Sequence, residues 1–307
     1  MTEPVAAIDC GSNSTRLLIV GPNGTTLTRL MRVTRLSEGV DASGALTSAA
    51  LERTWAVLGE YRQEMERRGV SEGLLAATSA VRDASNAEHF LERASAISGV
   101  EARVLSGDEE AAYTYAGATA DLDADERRTL VLDIGGGSTE MALRLDGSLA
   151  SFSMQLGCVR VTERALGSGV VSTETERFAR AMIEGELDRA FAAVTAFTTV
   201  VGHVRLVGVA GTVATLAQMD AGIKHYDRDV VHHRRLSLET VRRWRVRLAG
   251  EDPEERMAHP GMVRGREDVL HAGLLVLEMA MERLGVDEVI SSENDILDGM
   301  AAALVGR

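Results

Sequence analysis

The most regular pattern in the chain is a short apolar run that ends in an acid and a glycine-rich turn. Residues 130–134 are apolar except for Asp133, three glycines follow, and a second apolar run begins at Met141. Apolar runs of this length bounded by glycine predict buried strands, so the stretch predicts a strand–turn–strand hairpin. Several backbone N–H groups facing one way bind anions, and glycine lets them approach a ligand closely. The pattern therefore indicates either a plain tight hairpin or an anion-binding turn, formed by Gly135, Gly136, Gly137 and Ser138.

The same pattern occurs a second time, close to the N-terminus. Asp9 takes the place of Asp133, and the turn that follows consists of Gly11, Ser12, Asn13 and Ser14. The length of 307 residues suits two domains of about 150 residues, each large enough for a core. We therefore predict a duplicated α/β chain with domains at 1–121 and 122–307 and a cleft between them, with one phosphate-binding turn on each wall. The final helix, at about 295–305, is assigned to the second domain or crosses back onto the first.

Helical periodicity predicts the elements that cover the sheets. Apolar residues spaced by three and four positions predict a helix that Ser48 caps and Gly69 ends, and a longer helix over residues 173–199. Phe178 falls on the apolar face of the longer helix, so we expect it to pack inward.

Polar residues follow two further predicted strands, at the ends where open α/β sheets hold their ligands. Strand 74–77 leads to Arg82, whose planar guanidinium either holds two phosphate oxygens or forms an ion pair with a nearby acid. Another strand ends in Gly211, and Thr212 then caps the next helix. Gly211 and Thr212 thus form a third candidate phosphate contact.

Three consecutive acids follow the predicted strand at 102–105. Asp108, Glu109 and Glu110 open a helix, where acids are favoured by the helix dipole, so capping alone accounts for their presence. A carboxylate at the end of a strand also serves as a general base in many enzymes. The residues leave both interpretations open.

Composition and charge narrow the class of protein. The chain is 45% hydrophobic and 26% charged, which is typical of a globular protein, and it lacks a long apolar run and a signal peptide, so we expect a cytoplasmic protein without membrane contact. The net charge of −13 argues against nucleic-acid binding. Residues 225–247 are the exception, because they contain seven arginines and three histidines. This basic region is either a solvated surface or a site for a compact polyanion.

Cys10 is an alternative candidate nucleophile. Cys10 and Arg16 have the C-x5-R spacing of tyrosine-phosphatase loops, in which a thiolate attacks phosphorus. In that fold the loop leads into a helix, whereas here Arg16 leads into a predicted strand. Ile134 occupies the place of Cys10 in the second hairpin, so an inward apolar role explains the cysteine better.

Taken together, the ordered motifs make the chain resemble the exopolyphosphatase/guanosine pentaphosphate phosphohydrolase (Ppx/GppA) family, within the actin/hexokinase/Hsp70-like superfamily. The matching stretches run nearly end to end, at residues 8–14, 36–40, 77–84, 105–111, 132–140, 155–163, 208–216, 259–269 and 291–299. The resemblance implies two ribonuclease H-like, actin-like domains with an interdomain cleft.

The resemblance also implies roles for individual residues. It implies that Glu110 is the catalytic base and that Arg82 binds substrate. The turns at 11–14 and 135–138 become the two phosphate loops, and the Gly211 turn matches a loop that contacts adenosine in related kinases. The acids linked to magnesium are Asp133, Glu140 and Asp9. Mg²⁺ is thus the expected cofactor, with K⁺ as an expected activator.

The resemblance leaves the substrate open. The expected activity is phosphoanhydride hydrolysis, on inorganic polyphosphate or on the 5′-phosphate of guanosine pentaphosphate (pppGpp), by a monomer or homodimer. A non-catalytic binder of alarmones or polyphosphate is a further alternative, and a kinase fits less well. Longer members of the family carry a C-terminal region related to HD hydrolases, which residues 1–307 do not include. We expect the basic region to serve as a track for the polymer instead.

Overall fold

A computed structural model describes residues 3–306, which form two compact α/β units. The first unit comprises the chain up to Gly117 together with the chain from Asp295 onward. The second unit runs from Ala118 to Asn294. The division thus falls four residues before the predicted boundary, and the C-terminal segment belongs to the first unit. Within the described residues, no helix combines the length and the apolar character that a membrane span requires.

The first unit is built on a five-stranded sheet in the order β3-β2-β1-β4-β5. Its strands are β1 (Val5–Cys10), β2 (Ser14–Val20), β3 (Thr26–Val33), β4 (Glu72–Ala77) and β5 (Glu101–Val104). The first three strands pair antiparallel through tight turns, whereas β4 and β5 pair parallel and are reached through helical crossovers. The helices are α1 (Val40–Ser43), α2 (Ser48–Arg67), α3 (Ser79–Arg82), α4 (Ala87–Ser98), α5 (Gly107–Thr119) and, from the C-terminus, α14 (Ile296–Val305).

The second unit repeats this order with one added edge strand. Its strands are β6 (Arg128–Ile134), β7 (Thr139–Leu145), β8 (Ser148–Met154), β9 (Val204–Val209), β10 (Arg235–Ser237) and β11 (Glu288–Ser291), in the sheet order β10-β11-β9-β6-β7-β8. Strands β6, β7, β8, β9 and β11 correspond to β1 to β5, so the predicted α/β fold with two ribonuclease H-like domains is confirmed. The helices are α6 (Cys158–Val161), α7 (Thr173–Ala193), α8 (Thr195–Thr199), α9 (Ala210–Asp220), α10 (Arg228–Val231), α11 (Leu238–Ala249), α12 (Pro253–Met257) and α13 (Leu270–Leu284), with a π-helical turn at Thr162–Leu166.

Both faces of the first sheet are buried, which explains why β1 is apolar at nearly every position. Ala6 and Ile8 face a core that α2 and α4 cover. Val5 and Ala7 face the opposite side, where Met300 and other apolar residues of α14 close a second core. The final helix therefore completes the first unit although it is the last element of the chain.

Several local predictions are wrong in an instructive way. The predicted helix at 173–199 breaks at Val194, and Phe178 is 58% exposed rather than packed inward. Thr47, not Ser48, caps α2 by accepting a hydrogen bond from the backbone of Ala50. Thr212 lies inside α9, because that helix begins at Ala210 and has no side-chain cap. Helix ends depend on tertiary contacts as well as on local sequence, so the two caps and the break at Val194 could not be fixed from the pattern alone.

Candidate active site

The two glycine turns have the same geometry. In the first, the Gly11 N–H donates to the Ser14 carbonyl at 3.0 Å, and in the second the Gly135 N–H donates to the Ser138 carbonyl at 3.0 Å. A Cβ on Gly11 or Gly135 would lie 3.2 Å or 3.0 Å from that same carbonyl oxygen, so a larger residue would fit only if the turn opened slightly. We name these turns loop 1 (residues 11–14) and loop 2 (residues 135–138).

The carbonyls of both loops are held within their own units. In loop 1 the Ser12 and Asn13 carbonyls accept hydrogen bonds from residues 34–37, which follow β3. In loop 2 the Gly135 and Gly136 carbonyls accept from residues 158–160 at the start of α6. Because the C=O and N–H of a planar trans peptide point in opposite directions, the N–H groups of the next residues point away from these anchors. Each loop therefore presents N–H groups in the manner of an anion-binding nest.

Arg82 and Glu110, for which the resemblance implied substrate binding and base catalysis, form an ion pair in the first unit. Arg82 ends α3, directly after β4, and its Nη1 donates to the Leu105 carbonyl at 2.9 Å and to Glu110 Oε2 at 3.3 Å. Its Nη2 is buried and has no hydrogen-bond partner among residues 3–306. Buried polar groups are nearly always satisfied, so a donor of this kind fits an anionic ligand.

The three acids that open α5 have separate roles. Asp108 is exposed, and Glu109 accepts from the Ser106 N–H at 2.9 Å while pairing with Arg103 at 2.6 Å. These contacts hold the pKa of Glu109 below its ordinary value. Glu110 alone is buried and turned toward Arg82. Capping thus accounts for Glu109 and not for Glu110.

The acids predicted to hold magnesium differ in their surroundings. Asp133 and Glu140 are directly opposite each other in the β6–β7 pairing, and both are buried. Glu140 Oε1 accepts from the Ser153 hydroxyl at 2.6 Å. Carboxylate oxygens are the ligands Mg²⁺ prefers, and two acids opposite each other repel without a cation. Asp133 and Glu140 therefore fit a magnesium ion.

Asp9 is engaged differently. Arg16 is its direct partner in the β1–β2 pairing, and Arg16 Nη2 and Nε contact Asp9 Oδ2 at 2.7 and 3.0 Å. Burial raises the pKa of the Asp9 carboxyl although Arg16 acts in the opposite direction. Arg16 also pairs with Asp295, at the N-terminus of α14. These contacts favour an anchoring role for Asp9. The register of the β1–β2 hairpin places Arg16 opposite Asp9, so this pairing depends on the hairpin and not on the C-x5-R spacing.

The Gly211 turn lies at the end of β9, the strand next to β6. Ala210 has a left-handed backbone with φ of 65°, which a non-glycine residue adopts only under constraint. A Cβ on Gly211 would overlap the guanidinium of Arg266, so the glycine permits this close approach. The pKa of Cys158, beside loop 2, is raised by burial and lowered by the charge of Arg266. Arg266 lies in the matched stretch at 259–269, and no local pattern of the sequence distinguishes it from its neighbours.

Comparison with known proteins decides the family. The model of the Ppx/GppA phosphatase family matches residues 19–306. Exopolyphosphatase 2 of Mycobacterium tuberculosis is 35% identical over 318 aligned positions, which cover 98% of both chains. The chain belongs to the Ppx/GppA phosphatase family. It is therefore a hydrolase, as the resemblance predicted.

Solved structures of Ppx/GppA phosphatases and their relatives agree with this assignment. An exopolyphosphatase-like protein superposes with a TM-score of 0.93 at 33% identity, over 99% of both chains. The Ppx/GppA enzyme of Aquifex aeolicus superposes with a TM-score of 0.79 at 28% identity, again over 99% of both chains. The Ppx/GppA fold thus accounts for the whole chain and not for one hairpin motif.

The thiolate mechanism finds no support in this Ppx/GppA chain. Cys10 is fully buried, and burial raises the pKa of its thiol, whereas a nucleophilic cysteine needs a lowered pKa. The Arg16 guanidinium contacts the carboxylates of Asp9 and Asp295, so it does not form a phosphate site beside the Cys10 thiol. The burial of Cys10 therefore agrees with the apolar role expected for it.

The basic region at 225–247 is neutralised by its neighbours. Six of its arginines pair with acids of the second unit: Arg234 and Arg243 with Asp220, Arg235 with Glu288, Arg242 with Glu282, Arg245 with Glu278 and Glu176, and Arg247 with Glu251. The Arg245–Glu278 pair is largely buried, and the other arginines form ion pairs of the kind common on protein surfaces. These pairs favour a solvated surface over a track for a polymer.

Asp121, His232 and His233 form a separate cluster whose ligand atoms lie within 4.8 Å of one another. The Glu293 N–H donates to His232 Nδ1 at 3.0 Å, so the proton of the neutral ring is on Nε2, 2.9 Å from Asp121 Oδ2. A protonated Nε2 cannot bind a metal ion. The cluster is therefore a hydrogen-bonded contact, which Asn294 extends by donating to Asp121 at 2.8 Å.

Proposed function

We propose that the chain is an exopolyphosphatase that hydrolyses the terminal phosphoanhydride of inorganic polyphosphate and releases orthophosphate. The name of the Mycobacterium tuberculosis relative, which aligns over 98% of both chains, supports polyphosphate as the substrate. The single observation that carries the chemistry is the Arg82–Glu110 pair, with one buried guanidinium nitrogen left for an anion.

In the proposed reaction Glu110 is the general base. A water oxygen attacks the terminal phosphorus, its proton passes to Glu110, and the bond to the bridging oxygen breaks to leave a chain one phosphate shorter. Arg82 Nη1 is held by Leu105 and Glu110, so its Nη2 can donate to an oxygen of the terminal phosphoryl group. Donors positioned before the reaction stabilise the charge that develops in the transition state.

Loop 1 binds phosphate oxygens in this proposal. Asn13 is buried, and its Nδ2 has no hydrogen-bond partner in the described part of the chain. The Ser12 hydroxyl lies 3.0 Å from that of Ser79 in α3, so a hydrogen bond joins loop 1 to the helix that carries Arg82. Backbone N–H groups of loop 2 are the corresponding donors of the second unit.

Magnesium fits the second unit, where Asp133 and Glu140 would hold it. A bound Mg²⁺ supplies electrostatic stabilisation of phosphoryl oxygens. The Ser153 hydroxyl donates to Glu140 Oε1 and so helps to orient that carboxylate. The magnesium requirement and activation by K⁺ stay predictions.

The substrate test compares phosphate release from long polyphosphate, tripolyphosphate, pppGpp and ATP, each with and without Mg²⁺. We expect the highest kcat/KM with long polyphosphate and a requirement for Mg²⁺. A preference for pppGpp would indicate that the chain is a guanosine pentaphosphate phosphohydrolase, which breaks the same type of bond. Tight binding of polyphosphate without turnover would instead indicate a non-catalytic binder.

The residue test uses two neighbouring acids of α5. Glu110→Gln removes the base and is expected to lower kcat by about 10²–10⁴-fold. Glu109→Gln is the matched control, because Glu109 contacts Ser106 and Arg103 and its loss should change kcat only a few-fold. Near-normal kcat in a folded Glu110→Gln protein would contradict the assignment.

A further inference from the structure

The turn after β3, residues 34–37, holds loop 1 in place and has no role in the proposed reaction. The N–H groups of Thr34 and Arg35 donate to the Asn13 carbonyl at 3.0 and 2.9 Å, and the Ser37 N–H donates to the Ser12 carbonyl at 3.0 Å. Arg35 has a left-handed backbone with φ of 48°. Strain of this kind persists where the surroundings impose it, and it is frequent around ligand sites.

The side chain of Ser37 lacks the hydrogen bond that its burial demands. The residue is 9% exposed, and its Oγ has no hydrogen-bond partner within residues 3–306. Arg82 Nη2 and Asn13 Nδ2 are in the same situation, and all three belong to loop 1 or to segments bonded to it. Since buried polar groups are rarely left unsatisfied, three donors around one loop point to a ligand with several acceptor oxygens.

The second unit shows that a hydroxyl is not needed to support such a loop. There the Gly135 and Gly136 carbonyls accept from the N–H groups of Cys158, Val159 and Arg160. No hydroxyl side chain occurs among those three residues. The Ser37 hydroxyl is therefore not explained by the task of holding the loop.

We propose that Ser37 is a further substrate-binding residue that donates to a non-terminal phosphate of the polyphosphate chain. This inference rests on the proposed function. The Ser12 hydroxyl faces Ser79, in the helix of Arg82, whereas the Ser12 carbonyl faces Ser37. Arg82 and Ser37 belong to two different segments bonded to loop 1, and in this proposal they contact different phosphates. A contact with a non-reacting phosphate stabilises the ground state and the transition state equally, so its loss raises KM without changing kcat.

The test measures binding of tripolyphosphate and of orthophosphate to the full chain by titration calorimetry. Ser37→Ala is expected to weaken tripolyphosphate binding roughly tenfold, as loss of a hydrogen bond to a charged group does, and to leave orthophosphate binding within about twofold. Ser43→Ala is the matched control, since that exposed hydroxyl already bonds to the Gly39 and Ala45 carbonyls at 2.8 and 2.9 Å. It should bind both ligands as the wild type does.

Other results of the same titrations would contradict the role proposed for Ser37. Unchanged tripolyphosphate binding in Ser37→Ala overturns the proposal, and so does an equal loss for both ligands together with a lower Tm, because that result indicates a structural role. If Ser37→Ala does not fold, Ser37→Thr retains the hydroxyl and must bind tripolyphosphate within about threefold of the wild type. A wild-type chain that binds tripolyphosphate but releases no phosphate would contradict the proposed hydrolysis alone.

Discussion

The hairpins β1–β2 and β6–β7 share one backbone geometry and differ in the residue opposite the acid that ends the first strand. In the first hairpin Asp9 faces Arg16, and in the second Asp133 faces Glu140. The loop closure, the register and the position in the sheet are the same. A duplicated framework thus carries an ion pair in one copy and a pair of carboxylates in the other.

The difference separates anchoring from ligand binding. Arg16 connects Asp9 to Asp295, so the first hairpin fastens the helix that returns from the second unit. Like charges at directly opposite positions of a strand pair are destabilising, so a bound cation would stabilise the second hairpin. The second hairpin is therefore the one suited to a metal ion, and each variant below tests this contrast.

The largest expected effect is on stability, from Arg16→Met. Removing the guanidinium leaves Asp9 and Asp295 buried without it, and breaking a buried ion pair costs about 3–5 kcal/mol of unfolding free energy. Urea denaturation measures the change. The control is Arg32→Met on the adjacent strand β3, where a half-exposed pair with Glu60 at 3.4 Å should contribute less than about 1 kcal/mol. If the two variants lower the free energy of unfolding equally, the anchoring role of Arg16 is contradicted.

A smaller effect, on activity, is expected from Glu140→Arg, which gives the second hairpin the pair found in the first. The arginine would neutralise Asp133 and displace Mg²⁺, so phosphate release should fall by about 10²-fold or more. A Mg²⁺ titration of the rate and a thermal unfolding curve distinguish loss of metal from loss of fold. If Mg²⁺ activates the Glu140→Arg protein as strongly as it activates the wild type, Asp133 and Glu140 do not hold the ion.

The smallest effect concerns acid stability, which should differ between the units. His271, in the second unit, is buried beside Arg256, and burial lowers its pKa to about 3. Below pH 6.5 the unfolded state binds a proton that the folded state excludes, so the second unit should lose about 2 kcal/mol by pH 5. In the first unit burial raises the pKa of Asp9 and Asp298, so their folded forms take up protons first and gain stability as pH falls.

The two tryptophans make this difference measurable, because Trp55 lies in the first unit and Trp244 in the second. Trp55→Phe and Trp244→Phe each leave one fluorescent reporter, and urea unfolding at pH 7 and pH 5 then follows one unit at a time. His271→Gln should abolish most of the acid sensitivity of the second unit. An identical pH response of both reporters would contradict the predicted contrast.

The sequence predicted the duplication and the two glycine turns. Hydrophobic runs and glycine turns depend only on neighbouring residues, so loop 1 and loop 2 were found from the pattern alone. The ordered motifs also indicated the family and, through it, Glu110 and Arg82. Phe178 was placed wrongly because helical periodicity gives an apolar face but does not say whether another element covers it.

Tertiary structure decided the features that depend on residues far apart in the chain. Asp295 meets Arg16 across 279 positions, and no local pattern predicts such a contact. Among the three acids at the start of α5, only the fold shows that Glu109 caps the helix while Glu110 faces Arg82. The sequence by itself determined which residue types stand at the ends of the strands. The packing determined which of them form ion pairs and which keep buried donors for a ligand, because burial and distance are properties of the folded chain.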